Sequence, residues 1–196
     1  MNLPLFPLNT VLFPGCALDL QLFEARYLDM IGRCMKQGTG FGVVCILEGE
    51  EVGEAASRFA GTGCEAVIRD FQQLPNSLLG IRVEGGRRFR VTRAEVQPDQ
   101  LTVADVQWLD EAEERPLLPE HADLAALLNA LAEHPLVQGL GMGGLSNGQQ
   151  ELANQLSYLL PFSLKEKLEL LTLGDPEQRL SHLQGLLDKL QGDMIA

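Results

Sequence analysis

The first 22 residues are interrupted by prolines at positions that exclude a helix. Pro4 and Pro7 each lack a backbone N–H, so the opening segment suits only an edge strand or an irregular strand. Pro14 and Gly15 follow as a predicted turn. Residues 17–22 then alternate leucine with polar side chains, which is the period of a β-strand. The chain therefore opens with two short extended segments.

A helix is predicted directly after this strand, because apolar side chains recur there at helical spacing. They are Phe23, Tyr27, Met30 or Ile31, and Cys34. Further extended segments are predicted over residues 40–47, 61–74, 77–83, 87–96 and 101–108. Gly85 and Gly86 separate two of these segments, which predicts a β-hairpin, since glycine adopts positive φ angles at little cost.

The periodicity of the chain changes near residue 110. Residues 110–120 are acidic and contain two prolines, so they are interpreted as a solvated linker between a β-rich part, residues 1–109, and a helical part, residues 121–196. Leucines recur there at spacings of three and four residues. Ser163 and Glu166 form a predicted capping box, and Pro176 is placed in the first turn of a last helix. The sequence therefore predicts an α+β protein.

Charge and composition restrict the class of partner. The formal net charge is −12, which disfavours general binding to nucleic acid and to anionic membranes. No apolar run approaches the roughly 20 residues needed to span a bilayer, and the opening segment lacks the basic start of a signal peptide. Four cysteines at positions 16, 34, 45 and 64 lie among apolar residues and are expected to be buried thiols. A cytoplasmic protein is expected.

Several blocks of the sequence are similar, in order, to one known family. They are FEARY at residues 23–27, FGVV at 41–44, VEGGRRFRV at 83–91 and YLLPFSLKEKLELL at 158–171. Together they resemble the amino-terminal, substrate-binding domain of Lon protease, and they span nearly the whole chain. The resemblance implies a PUA-like β barrel followed by a helical bundle. It also implies a free-standing recognition module that binds unfolded or extended polypeptide, or a protease or chaperone partner.

No catalytic, cofactor-binding or metal-binding residues are predicted. The sequence lacks the G-x-x-x-x-G-K-[ST] loop that holds nucleotide phosphates, and a serine–lysine protease domain would not fit in its length. Residues 139–144 match G-x-G-x-x-G literally. A helical leucine pattern and Pro135 precede them, whereas a dinucleotide site requires a strand there. The resemblance therefore implies recognition without catalysis, and the protein is not expected to be an enzyme.

Two sets of residues are candidates for binding. Leu140, Met142 and Leu145 lie in a glycine-rich segment and could contact peptide, although ordinary packing within the bundle is the alternative for them. An apolar groove between the two parts is a further expectation, with Trp108 near the junction and partly shielded. PUA-like barrels in other proteins bind RNA. Arg88 and Arg90, in the predicted hairpin of residues 87–93, are therefore the candidates for an alternative function as an RNA-binding module.

Overall fold

A computed structural model describes residues 2–144 and 146–195, with the side chain of residue 195 excluded. The chain divides into two compact units, Met1–Leu109 and Asp110–Ala196, here called the β unit and the helical unit. Within the described residues, no helix is long and apolar enough to cross a membrane.

In its described residues, the β unit contains seven strands, one α-helix and a short 3-10 helix at Pro75–Ser77. The strands and the α-helix are β1 Asn2–Leu8, β2 Ala17–Leu22, α1 Ala25–Gln37, β3 Phe41–Glu48, β4 Arg58–Phe59, β5 Thr62–Gln73, β6 Leu79–Val96 and β7 Thr102–Trp108. Strands β1, β7, β6, β5 and β3 pair in a closed ring, in which only the β1–β3 pair is parallel. This ring confirms the α+β class and the predicted barrel.

The first strand closes the barrel by changing its partner, so of the two alternatives, an edge strand or an irregular strand, the structure shows the irregular one. Residues 2–5 pair with β7, and residues 5–8 pair with β3. Each half of β1 therefore has one neighbour, and one side of each half makes no ladder. Pro4 and Pro7 are tolerated for this reason, because a missing N–H is harmless where no neighbouring strand accepts it.

The predicted hairpin at Gly85 and Gly86 is also wrong, because β6 runs straight through both glycines. The pairs Cys64–Arg88 and Ala66–Gly85 show that β6 has an extra residue here, which is a β-bulge. Gly85 is required by close approach: a Cβ atom on it would lie 2.0 Å from the carbonyl oxygen of Phe13. The absence of a side chain at Gly85 therefore allows the backbone of Phe13 to pack directly against β6.

A narrow core fills the barrel. Its buried members are Leu3, Leu5, Val44, Phe89, Ala104 and Val106. Phe89 is fully buried, and a Cβ atom on Gly42 or Gly63 would come within 2.7 Å or 2.6 Å of its ring. The two glycines therefore make room for one aromatic ring inside a barrel of five strands.

Helix α1 packs one face against the barrel. Tyr27, Met30, Ile31 and Cys34 are buried on this face, as their spacing predicts. The helix ends at Gly38, whose φ of 65° is left-handed and whose N–H donates to the carbonyl of Cys34. Phe23 precedes the helix and is 55% exposed, so it lies outside the apolar face predicted for it.

The helical unit contains α2 Ala122–Ala132, α3 Pro135–Gly139, α4 Gln149–Leu159, α5 Leu164–Thr172 and α6 Pro176–Ile195. The capping box at Ser163 and Glu166 is present: each side chain accepts a backbone N–H, at 3.2 Å and 2.8 Å. Asp175 accepts the N–H groups of Glu177 and Gln178 in the same way at the start of α6. The predicted capping box and the predicted place of Pro176 in the first turn of α6 are confirmed.

The acidic segment before α2 belongs to the helical unit. The carboxylate of Glu114 accepts the N–H groups of Gln150 and Glu151 at 2.8 Å and 3.1 Å, so it caps the amino terminus of α4. Arg115 contacts Asp175 at 3.3 Å. This segment is therefore partly docked, whereas the sequence suggested a solvated linker.

Candidate functional site

The glycine-rich segment folds back on its own unit. Met142 is buried with 8% exposure, and Leu140 is half-buried. The N–H of Gly143 donates to the Gln155 side chain at 2.9 Å, and a Cβ atom on Gly143 would lie 2.4 Å from that of Ala132. These contacts favour the packing alternative for Met142. Leu145 lies outside the described residues.

A different leucine presents an apolar surface in this region. Leu136, in the short helix α3, is 75% exposed. The leucine pattern did not identify it, because Leu136 follows Pro135 and lies outside the leucines that recur at helical spacing. An exposed apolar side chain can be recognised only once the packing of its neighbours is known.

The arginines of β6 do not form one open surface. Arg88 is 1% exposed, whereas Arg90 is exposed. Arg87 lies 4.0 Å over the ring of Trp108 and 3.6 Å from Glu65, and Arg93 pairs with Glu95. A basic RNA-binding surface requires charged heads free to reach phosphates. The burial of Arg88 therefore counts against an RNA-binding function that uses Arg88 and Arg90.

A pocket of about 490 Å³ lies beside Trp108 in the β unit. Its apolar wall comes from Leu3, Met30, Leu101 and Val103, and the Arg87–Trp108 pair lies at its rim. The rings of Phe89 and Trp108 are perpendicular, with their centroids 6.0 Å apart, so the tryptophan contacts both Arg87 and Phe89. Trp108 is half-buried by these neighbours, in agreement with the partial shielding expected of it.

Cys34 also lines this pocket, but its thiol is poorly placed for chemistry. It is 3% exposed, and burial raises its pKa above the ordinary value. All four cysteines are buried and form no disulfide. Within residues 2–144 and 146–195, no three His, Cys, Asp or Glu side chains are grouped closely enough to hold a metal ion.

Strand β2 presents an open edge with concavities beside it. In the described part of the chain, it pairs with β6 and with no other strand. Asp19, Leu20 and Gln21 line one concavity of about 180 Å³ toward β1 and α1, and another of about 360 Å³ over the β2–β6–β5 sheet. The large apolar side chains at their rims are exposed: Phe23 at 55%, Val52 at 55% and Phe71 at 56%.

The fold is a β barrel followed by a helical unit, and in the described residues strand β2 keeps an open edge. The family model of the ATP-dependent protease La (Lon) substrate-binding domain matches residues 2–189. The chain belongs to this family, as the resemblance in its sequence indicated.

The similar proteins agree with this assignment. A crystal structure of a Lon N-terminal domain protein from Xanthomonas campestris has a TM-score of 0.78 and 36% identity, and the match covers 94% of this chain and 98% of that one. Lon protease of Flavobacterium johnsoniae is 25% identical over 97% of this chain and 25% of its own length. Cereblon of Danio rerio is 31% identical over 56% of this chain and 26% of its own length. The chain thus spans about a quarter of the curated relatives that it matches.

Proposed function

We propose that this protein is a non-catalytic module that binds unfolded or extended polypeptide. The observation that carries the proposal is the match of the Lon substrate-binding family over residues 2–189, which includes both units. The exposed apolar side chains around the β2 edge support it, because unfolded segments offer apolar residues and unpaired backbone groups. The buried thiols fit action in a reducing cytoplasm.

Binding of an unfolded protein tests the proposal directly. Fluorescence anisotropy of labelled, reduced and carboxymethylated α-lactalbumin should give a dissociation constant on the order of micromolar, because ordering a flexible chain offsets several kcal/mol of the interaction. Native, disulfide-intact α-lactalbumin carries the same label as the matched control and should bind at least about tenfold more weakly. Equal affinity for the two forms, or no binding of the unfolded form, would refute the proposal.

The non-catalytic part of the proposal has its own test. The protein should neither hydrolyse ATP nor cleave unfolded casein, since the sequence lacks a Walker loop. Activity that co-purifies with the protein through successive columns and persists at constant specific activity would contradict this part alone and leave polypeptide binding in place.

A further inference from the structure

The backbone of β2 has groups that face away from its partner strand. The N–H of Gly85 donates to the carbonyl of Cys16 at 2.9 Å, and the register from Ala17 to Leu22 continues without a shift. Hydrogen-bonded and non-hydrogen-bonded pairs alternate along an antiparallel ladder. Because Cys16 and Gly85 form a hydrogen-bonded pair, Leu18 and Leu20 are expected to form hydrogen bonds with β6 as well. The N–H and C=O groups of Asp19 and Gln21 therefore point outward from the sheet, at an edge that no described strand covers.

The surface beyond this edge suits the side chains of an added strand. Phe6 and Tyr27, whose ring centroids lie 4.0 Å apart, line the smaller concavity together with the exposed side chains of Phe23 and Val52. Over the sheet, exposed Phe71 contributes an apolar side chain to the larger concavity. Successive side chains of a strand point to opposite faces, so both concavities would receive alternate residues of one extended segment.

The charge around the edge is acidic. Asp19, Glu24, Glu51 and Asp70 line the two concavities, against one basic residue, Arg82. Arg82 already binds Asp19 through two hydrogen bonds of 2.7 Å and 2.8 Å, which lower the pKa of that carboxyl. Glu24 is itself paired with Arg26 at 3.3 Å, so Glu51 and Asp70 are the carboxylates that favour a cationic occupant and repel an acidic one.

We infer that the β2 edge binds an extended polypeptide segment as an added strand, and that it selects segments in which lysine or arginine alternates with apolar residues. This inference rests on the proposed polypeptide-binding function and assigns it a surface and a preference. Arg88 and Arg90 line neither concavity.

A proline at Gln21 tests the backbone part of the inference. Because the N–H of Gln21 faces outward, Gln21→Pro removes an edge donor without removing a bond to β6. A labelled peptide of alternating lysine and valine should bind this variant up to about tenfold more weakly than the wild-type protein, since one backbone hydrogen bond is lost. Gln21→Ala keeps the N–H and is the matched control, which should bind as the wild type does.

Charge reversal is the second test, and it holds even if the proline variant fails to fold. Wild-type protein should bind the lysine–valine peptide at least about tenfold more tightly than a glutamate–valine peptide at low salt. Asp70→Lys should narrow that ratio, since Asp70 is exposed at the rim. Unchanged affinity in Gln21→Pro, or equal affinity for both peptides, would overturn the inference. If unfolded α-lactalbumin still binds in either case, the proposed function stands without this surface; if it does not bind, the function itself fails.

Discussion

Gly85→Ala should destabilise the β unit strongly, although alanine is the smallest change available. The new Cβ atom would lie 2.0 Å from the carbonyl oxygen of Phe13, more than an ångström inside ordinary contact. That oxygen belongs to the backbone, so a side-chain rotation cannot relieve the clash. The strand and the Phe13–Cys16 turn must move apart instead.

The expected magnitude follows from what this movement breaks. Gly85 accepts a hydrogen bond from Gly15 at 2.8 Å and donates one to Cys16 at 2.9 Å. Overpacking costs about 1–3 kcal/mol and each backbone bond contributes about 0.5–1.5 kcal/mol, so the free energy of unfolding should fall by about 2–6 kcal/mol. With a urea dependence of about 2 kcal/mol per molar, the midpoint should fall by about 1–3 M.

Urea unfolding followed by tryptophan fluorescence measures this change in the right unit, because the single tryptophan, Trp108, lies in β7. Gly86→Ala is a matched neighbour: its Cβ would meet the flexible end of Glu65 at 2.8 Å, which can move, so a smaller effect is expected. Gly32→Ala, in α1, meets nothing within 4 Å and should stabilise the protein by about 0.5–1 kcal/mol. A urea midpoint for Gly85→Ala equal to that of the wild type would refute the close contact between Gly85 and the carbonyl of Phe13. An unchanged midpoint for Gly85→Asn would indicate that Gly85 lies in a turn instead.

Three further predictions follow from the burial of particular side chains. Met142→Ser should lower the calorimetric melting temperature, since truncating a buried methionine costs about 2–5 kcal/mol. Leu136→Ser is the control and should leave the melting temperature unchanged, because Leu136 is exposed. Weaker polypeptide binding by Met142→Ser at an unchanged melting temperature would instead support a binding role for Met142. Burial raises the pKa of Tyr27 to about 12, so the unfolded state loses its proton first and stability should fall as pH rises from about 10. The difference ultraviolet titration between wild type and Tyr27→Phe measures this pKa, and a transition near 10 would contradict it. Arg87→Ala should uncover Trp108 and increase its quenching by iodide, and unchanged quenching would show that the stacked arginine does not shield the ring.

Local features of the fold could be predicted from the sequence with good accuracy. The capping box at Ser163 and the start of α6 at Pro176 depend on residues within three positions of one another, so their geometry is contained in a short window. The apolar face of α1 from Tyr27 to Cys34 is similarly short-range. These predictions are confirmed because the interacting groups are neighbours along the chain.

The features that the sequence predicted wrongly or left open depend on distant partners. In an open sheet, a proline such as Pro4 is typical of an edge strand. Here the partner of β1 changes from β7 to β3 within the strand, and closure of the barrel requires that change. The glycine pair at Gly85 has the composition of a turn, and only the approach of Phe13 shows that it serves a continuous strand. Arg88 has a buried position for the same reason, since the bulge beside it changes which side chains face the core.

The candidate surface divides along the same line. The sequence by itself determined the family, the α+β class, the acidic charge and the alternation in β2, because each is a property of residue type and short-range order. Only the tertiary structure decided that β2 keeps an open edge, that Phe23 and Phe71 stand exposed beside it, and that Met142 is buried. Exposure and strand pairing depend on which distant segments cover a residue, and a single sequence does not record those contacts.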